Sequence, residues 1–408
     1  MTGASDDDPS GIGTVVQSGA QYGYGLLWTM SFTLPLMIAI QEASARVGVV
    51  TGKGLATIIK TRYGTRIVLV LALLLAIANT INVAADIAAM AAALRLLVPV
   101  PQFAAAAGFA LAILAAEVFI GYERYSSILK WLALSLLAYP LVAFISHVPW
   151  GSLLVATVLP HVSLSGGFVF LLTAVLGTTI SPYLFFWEAA QEVEEIDSMK
   201  KRNQRWSRRR MTKHMRIDNA FGMFVSNLIM WFVLVVAAVV LHAHGVTNIR
   251  SAADAARALQ PLVRSFPHAG ALAGGIFALG IIGLGALAVP VLAGSASYAF
   301  ADAFGWPASL SASVRDAPGF YAVLAAAVLI GLVIDFTGLD PIQLLVWSAV
   351  INGFVAVPLI FVIGSISSDR KVMGQHTSGW LSRVLIAVAG LLMGVSAIAT
   401  LAGLVHLP

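Results

Sequence analysis

Long apolar runs of about 20 residues recur along the whole chain, separated by short polar or Pro/Gly-rich joints. That length is what an α-helix needs to cross a bilayer, and lipid admits only segments that satisfy their own backbone groups. A transmembrane barrel would instead alternate polar and apolar residues over strands of about 10 residues. Only 11% of the 408 residues are charged, against roughly 25% in a soluble domain. A soluble enzyme, a disordered chain and a collagen-like chain are therefore excluded. The absence of cysteine rules out disulfides, thiolate metal sites and a cysteine nucleophile. The net charge of +5 reads as membrane topology rather than a nucleic-acid surface.

The runs define eleven expected spans, at about 11–25, 26–46, 67–98, 103–122, 129–147, 166–190, 219–243, 270–300, 320–336, 341–364 and 382–407. No basic start followed by an apolar core and a cleavage site precedes them, so no separate signal peptide is expected. With a cytoplasmic N-terminus and alternating spans, the joints 46–66, 123–130, 191–218, 301–319 and 365–383 face the cytoplasm. They hold 20 of the 24 Lys and Arg residues, the bias that bacterial inner and other plasma membranes impose on multi-pass proteins. The densest basic stretch, Lys200–Lys213, follows the acids Glu192, Glu194, Glu195 and Asp197. It reads as a solvated loop that fixes topology, with a lipid-binding role as the alternative.

Two places interrupt the apolar pattern with proline among small and polar residues. One is Asp6 to Gly13 at the head of the first span; the other is Gly177 to Tyr183 in the middle of the sixth. Proline removes an amide donor, and the residue before it leaves the helical region, so carbonyls are freed at membrane depth. If spans one to five and six to ten are repeats, both breaks fall on the first helix of a repeat. That pattern marks inverted-repeat transporters, with the substrate held at the midplane between two unwound helices. The expected units are about 1–150, about 160–365 and an extra helix at about 381–408, in a single transmembrane domain. The donors at the breaks are oxygens: the Asp8 carboxylate, the Ser10, Thr178 and Ser181 hydroxyls, and freed carbonyls, including that of Gly11. Such a set suits hard cations such as magnesium, calcium or manganese. The competing readings are a solvated tail acid for Asp8 and a helix-packing hydroxyl for Ser181.

These residues resemble the Nramp family of divalent-metal transporters, which share the leucine-transporter fold. Asp8-Pro9-Ser10-Gly11 is similar to that family's Asp-Pro-Gly-Asn motif, and Ile180-Ser181-Pro182-Tyr183-Leu184 stands where it has Met-Pro-His-Asn. The stretches Gln17–Tyr24, Arg46–Lys53 and Ala288–Gly294 are also Nramp-like. The resemblance implies an all-α polytopic membrane protein of eleven helices, with a five-plus-five inverted repeat and broken first and sixth helices. It implies Asp8 as the charged metal ligand and Tyr183 as a residue that helps close the site. The departures are equally informative. The motif's Asn is Gly11 and its methionine is Ser181. Losing the thioether points to a harder ion, as in the Nramp-related magnesium transporters, so magnesium comes first and manganese next. Asp86 matches the family's third-helix acid, but the glutamate expected three residues on is Ala89 and the sixth-helix histidine is Glu188. The ninth span contains no arginine. Proton coupling by the family's route is therefore not expected, while Glu188 could titrate, line a hydrated path or face water at the cytoplasmic mouth. The family also carries about a half-helix before its Asp-Pro motif, where this sequence has Met1 to Asp7.

Asn79, Asn82 and Asp86 recur at spacings of three, four and seven and so share one helical face. They form a hydrated path beside Asp8 or a polar patch that glues helices. Asn227 and Asn352 read as glue, Glu42 and Arg46 as an i,i+4 pair, Glu117 and Glu123 as interfacial acids, and Trp28, Trp131, Trp150, Trp187, Trp231, Trp306, Trp347 and Trp380 as interfacial belts. His147, His161, His242, His244 and His268 fall in external joints as ordinary loop residues. No metalloprotease helix, phosphate loop or nucleophile elbow occurs, so neither an enzyme nor a bound cofactor is expected. The expected function is import of a divalent cation, as substrate, by alternating access in a lipid bilayer, without a nucleic-acid partner. A non-transporting Nramp-like sensor or scaffold, and an organic-solute carrier of the same superfold, are the alternatives.

Overall fold

The computed structural model describes residues 7–120, 129, 131, 132, 134–201, 207–264, 268–310 and 312–405, and these contain helices and turns but no strand. The long helices are α1 (Pro9–Tyr22), α2 (Trp28–Thr51), α3 (Leu55–Tyr63), α4 (Thr65–Leu94) and α5 (Gln102–Phe119). Two shorter ones, α6 (Ala138–Ile145) and α7 (Trp150–Val158), precede α8 (Gly166–Thr179), α9 (Pro182–Lys201) and α10 (Arg208–Val236). The short α11 (Ala252–Ala256) and α12 (Gln260–Val263) lead to α13 (Ala269–Phe304), α14 (Pro318–Asp335), α15 (Pro341–Ser368), α16 (Arg370–Met373) and α17 (Trp380–Val405).

Eight segments among the described residues are long and apolar enough to cross a membrane, with α8 and α9 counted as one. They match the third, fourth and sixth to eleventh expected spans. The first span is the 14-residue α1, and the second is α2, whose Gln41, Glu42, Ser44 and Arg46 dilute its apolar character. The fifth includes α6 and runs partly outside the described residues. The expected overlong run at 270–300 is one helix of 36 residues, continuous through Pro290. Glu123 and residues 202–206 of the basic stretch lie outside the described residues.

α4 packs against α13, α15 and α14, and α8 packs against α15 and α17. α2 lies on α9 and α10, and α1 is enclosed by α10, α15, α8 and α4. α1 is thus surrounded by protein, which is why its polar residues are tolerated; Ser10, Thr14 and Ser18 are fully buried. Lipid-facing residues sit on the outer helices, where Leu111, Phe119, Val333 and Ile398 are exposed. Three residues expected at interfaces are buried in protein: Glu117, Trp28, whose indole N–H donates to the His161 carbonyl at 3.0 Å, and Trp187, packed on Tyr298 with ring centroids 6.1 Å apart. The direction each faces depends on which helices are neighbours.

Candidate cation site

The head of α1 is built around Asp8. Asp8 is extended (φ −125°, ψ 165°) and caps the helix, with Pro9 in the first turn, where its missing N–H costs no hydrogen bond. The Asp8 carboxylate accepts from the Gly11 amide at 2.7 Å and from the Ser10 hydroxyl at 2.8 and 2.9 Å. A third donor comes from another helix: the Asn82 side-chain amide on α4, at 2.8 Å. Asp8 is 2% exposed. Burying a carboxylate is costly unless its oxygens are paired, and these three groups pair both of them. The solvated-tail reading of Asp8 therefore fails.

The sixth span is broken in the middle of the bundle. α8 ends at Thr179, Ile180 and Ser181 are non-helical, and α9 restarts with Pro182 as its first residue. The Ser181 hydroxyl turns back and donates to the Thr178 carbonyl at 2.6 Å and to that of Gly177 at 3.3 Å. The freed end of α8 is thereby satisfied internally. α9 is gripped from two sides, because Ser295 on α13 donates to the Tyr183 carbonyl at 2.6 Å and Ser44 on α2 donates to that of Phe185.

The two heads meet at Gly11. A Cβ built on Gly11 would lie 3.0 Å from the Thr178 hydroxyl oxygen and 3.3 Å from an Asp8 carboxylate oxygen. Asp8, Ser10, Gly11, Asn82 and Thr178 therefore form one cluster, with Ser181 joined to it through the Thr178 carbonyl. Asp86 is fully buried one turn beyond Asn82; Asp8 is the charge that acts on it, and the Ser10 amide faces it. Tyr183 and Glu188 are both buried further along, in the first and second turns of α9. Asn79 turns to another neighbour and donates to the Leu292 carbonyl on α13 at 2.8 Å.

Among the described residues, no three His, Cys, Asp or Glu side chains group closely enough to hold a metal ion. A cation at Asp8 would have to complete its shell with hydroxyls, carbonyls and water, as hard ions do.

Several residues here escaped the sequence reading. Asp7 is 6% exposed and accepts from the Ser226 hydroxyl on α10 at 2.6 Å. Asp7 and Ser226 border a cavity that Gly11 and Thr178 also line, together with Met30 and Met37 of α2 and Asn227 and Met230 of α10. The run of three aspartates at 6–8 was a signal for Asp7. The methionines carried none, because in an apolar run they read as lipid-facing or core residues.

Comparison with known proteins follows the same architecture. The family described as Nramp, "Natural resistance-associated macrophage protein-like", matches residues 1–403. A crystal structure of the Eremococcus coleocola manganese transporter, in complex with an aromatic bis-isothiourea substituted compound, superposes with a TM-score of 0.77. It is 16% identical, with 99% of this chain and 86% of that one covered. MhsT in complex with L-phenylalanine superposes with a TM-score of 0.60 at 13% identity, covering 99% of this chain and 96% of that one. At such identities the likeness concerns the fold, which is of the leucine-transporter type.

Proposed function

The chain belongs to the Nramp family, and from that premise we propose that it carries a divalent metal cation across the membrane, magnesium first and manganese next. The transport is by alternating access and directed inward. It takes place in the plasma membrane, which is the inner membrane in a two-membrane cell, with the N-terminus cytoplasmic. The observation that carries this reading is the buried Asp8 carboxylate, held between the head of α1, Asn82 of α4 and the break that ends α8. A buried ionisable group facing the interior of a membrane bundle marks an ion pathway. Asp8 supplies the charge. Ser10, Gly11, Thr178 and Ser181 supply hydroxyls or carbonyls, with Tyr183 closing the site. Asp86 and Glu188 set the field along the route.

The order of cations rests on Ser181. A hydroxyl stands where the resemblance places a thioether, and oxygen ligands favour magnesium and manganese over softer ions. Proton coupling by the family's route is not part of the proposal, because Ala89 and Glu188 replace the expected glutamate and histidine.

An organic-solute carrier of this superfold would offer the head of α1 to a substrate carboxylate. In this chain the Asp8 side chain already occupies the Gly11 amide, which argues for a cation.

Uptake of magnesium and manganese into proteoliposomes tests the proposal. Asp8→Ala should reduce flux to that of empty liposomes, and equal flux in wild type and variant would overturn the site.

A further inference from the structure

The cavity beside Gly11 has a different chemistry from the Asp8 site. It is small, and it is lined by Asp7, Ser226 and Asn227 together with Met30, Met37 and Met230. Gly11 and Thr178 also line it, so it adjoins the Asp8 cluster directly. The Met230 methyl lies 3.4 Å from where a Gly11 Cβ would stand. The Asn227 amide points to the Met37 sulfur at 3.8 Å, so a polar side chain and a thioether already engage each other in this cavity. We infer that this cavity is a second cation subsite, in which the Asp7 carboxylate and methionine sulfurs take a soft or borderline divalent ion that magnesium cannot replace. The inference builds on the divalent-cation reading of the neighbouring Asp8.

Two physical points favour a ligand over simple packing. Methionine serves cores by filling irregular gaps, yet here three methionines border a gap that stays open. A carboxylate buried among apolar side chains is costly without a counter-charge, and Asp7 meets a neutral hydroxyl at 2.6 Å. A soft cation resolves both, because carboxylate and thioether together select such ions, whereas magnesium takes oxygen ligands and keeps its water. The thioether that the sixth helix lacks at Ser181 is thus supplied from α2 and α10, beside the Asp8 cluster.

Cadmium is the probe, titrated calorimetrically into the purified full-length protein alongside magnesium. Asp7→Asn and Met230→Leu should each lower cadmium affinity at least tenfold and lower the cadmium-to-magnesium affinity ratio with it. Leucine for methionine conserves core volume, so the fold tolerates it. Met393→Leu, at a buried position of α17 outside the cavity, should change neither titration. X-ray absorption at the cadmium edge gives an independent readout. The chain has no cysteine, so sulfur in the first shell can only be thioether, and it should diminish in Met230→Leu. A shell of oxygen alone, or wild-type cadmium affinity in both variants, would overturn the subsite. Asp8→Ala separates the two proposals: it should abolish magnesium uptake while the cadmium–sulfur signal persists. Absence of uptake in wild type with that signal present would sink transport and leave the subsite standing.

Discussion

On the proposed reading, Ser181 is the residue on which the choice of cation turns. Its hydroxyl spends its proton on the Thr178 carbonyl at 2.6 Å, leaving the oxygen's lone pairs to accept or ligate. Replacing it by methionine removes that donor and introduces a soft ligand at the break. Ser181→Met should therefore raise manganese affinity relative to magnesium by about tenfold, corresponding to roughly 1.4 kcal/mol, as read by calorimetric titration of both ions. The oxygen donors of the candidate site were legible in sequence because a proline and polar residues inside an apolar run are conspicuous. Asp8, Ser10, Thr178 and Ser181 stand out in that way. The meeting of Asp7 with Ser226 and Met230 did not, because it is a tertiary fact: 219 residues separate Asp7 from Ser226, and no spacing rule reaches that far. Asn79 shows the same limit from the other side. It shares a helical face with Asn82, yet it bonds to the Leu292 carbonyl on α13 rather than to the site.

At the scale of elements, the α8–α9 break depends on close approach as well as on Pro182. A Cβ on Gly177 would run into the Ala349 carbonyl and lie 2.8 Å from the Gly353 Cα on α15. Two backbones can come this near only where one side lacks a side chain. Gly177→Ala should therefore destabilise the protein by about 1–3 kcal/mol through overpacking, visible as a lower thermal midpoint in detergent. It should also weaken uptake, since it pushes Thr178 away from Gly11. The element pattern was largely legible, because apolar run length reports helices directly; the sixth-span break falls where the proline put it. What the pattern could not give was the partnership between elements. The buried Trp187 and Glu117 were expected at interfaces because sequence gives a residue's depth, not which neighbour stands beside it. The continuous α13 shows that a proline alone does not break a helix: Pro290 sits within it among tightly packed residues, whereas Pro182 follows a non-helical Ile180 and Ser181.

Across the described residues, the basic joints 46–66, 191–218, 301–319 and 365–383 are tied together at one end. Glu42 pairs with Arg46 at 3.1 Å and with Arg216 at 2.7 Å, Arg62 pairs with Asp369, and Lys60 donates to the Ala303 carbonyl at 2.6 Å. Buried Arg46 reaches further, to the His376 carbonyl and the Ser378 hydroxyl, both at 2.7 Å. At the opposite end neutral contacts dominate: Trp28 donates to the His161 carbonyl at 3.0 Å and His242 to that of Ala20 at 2.8 Å, beside one ion pair, Arg257–Asp254 at 3.5 Å. This segregation fits the charge bias of the sequence and makes orientation testable. Because the chain has no cysteine, Lys53→Cys and His244→Cys, both exposed, provide single labelling positions. A membrane-impermeant maleimide should label the cysteine at position 244 in intact cells and the one at position 53 only after the membrane is opened; the reverse pattern would invert the topology. The saturated Asp8 carboxylate has a consequence for the proposed carrier. Ser10, Gly11 and Asn82 already pair its oxygens, so under alternating access the unloaded protein would not carry a bare charge through a closed state. On the proposed reading, loading would be an exchange in which the ion displaces internal donors, and those donors would take the carboxylate back once the ion has left.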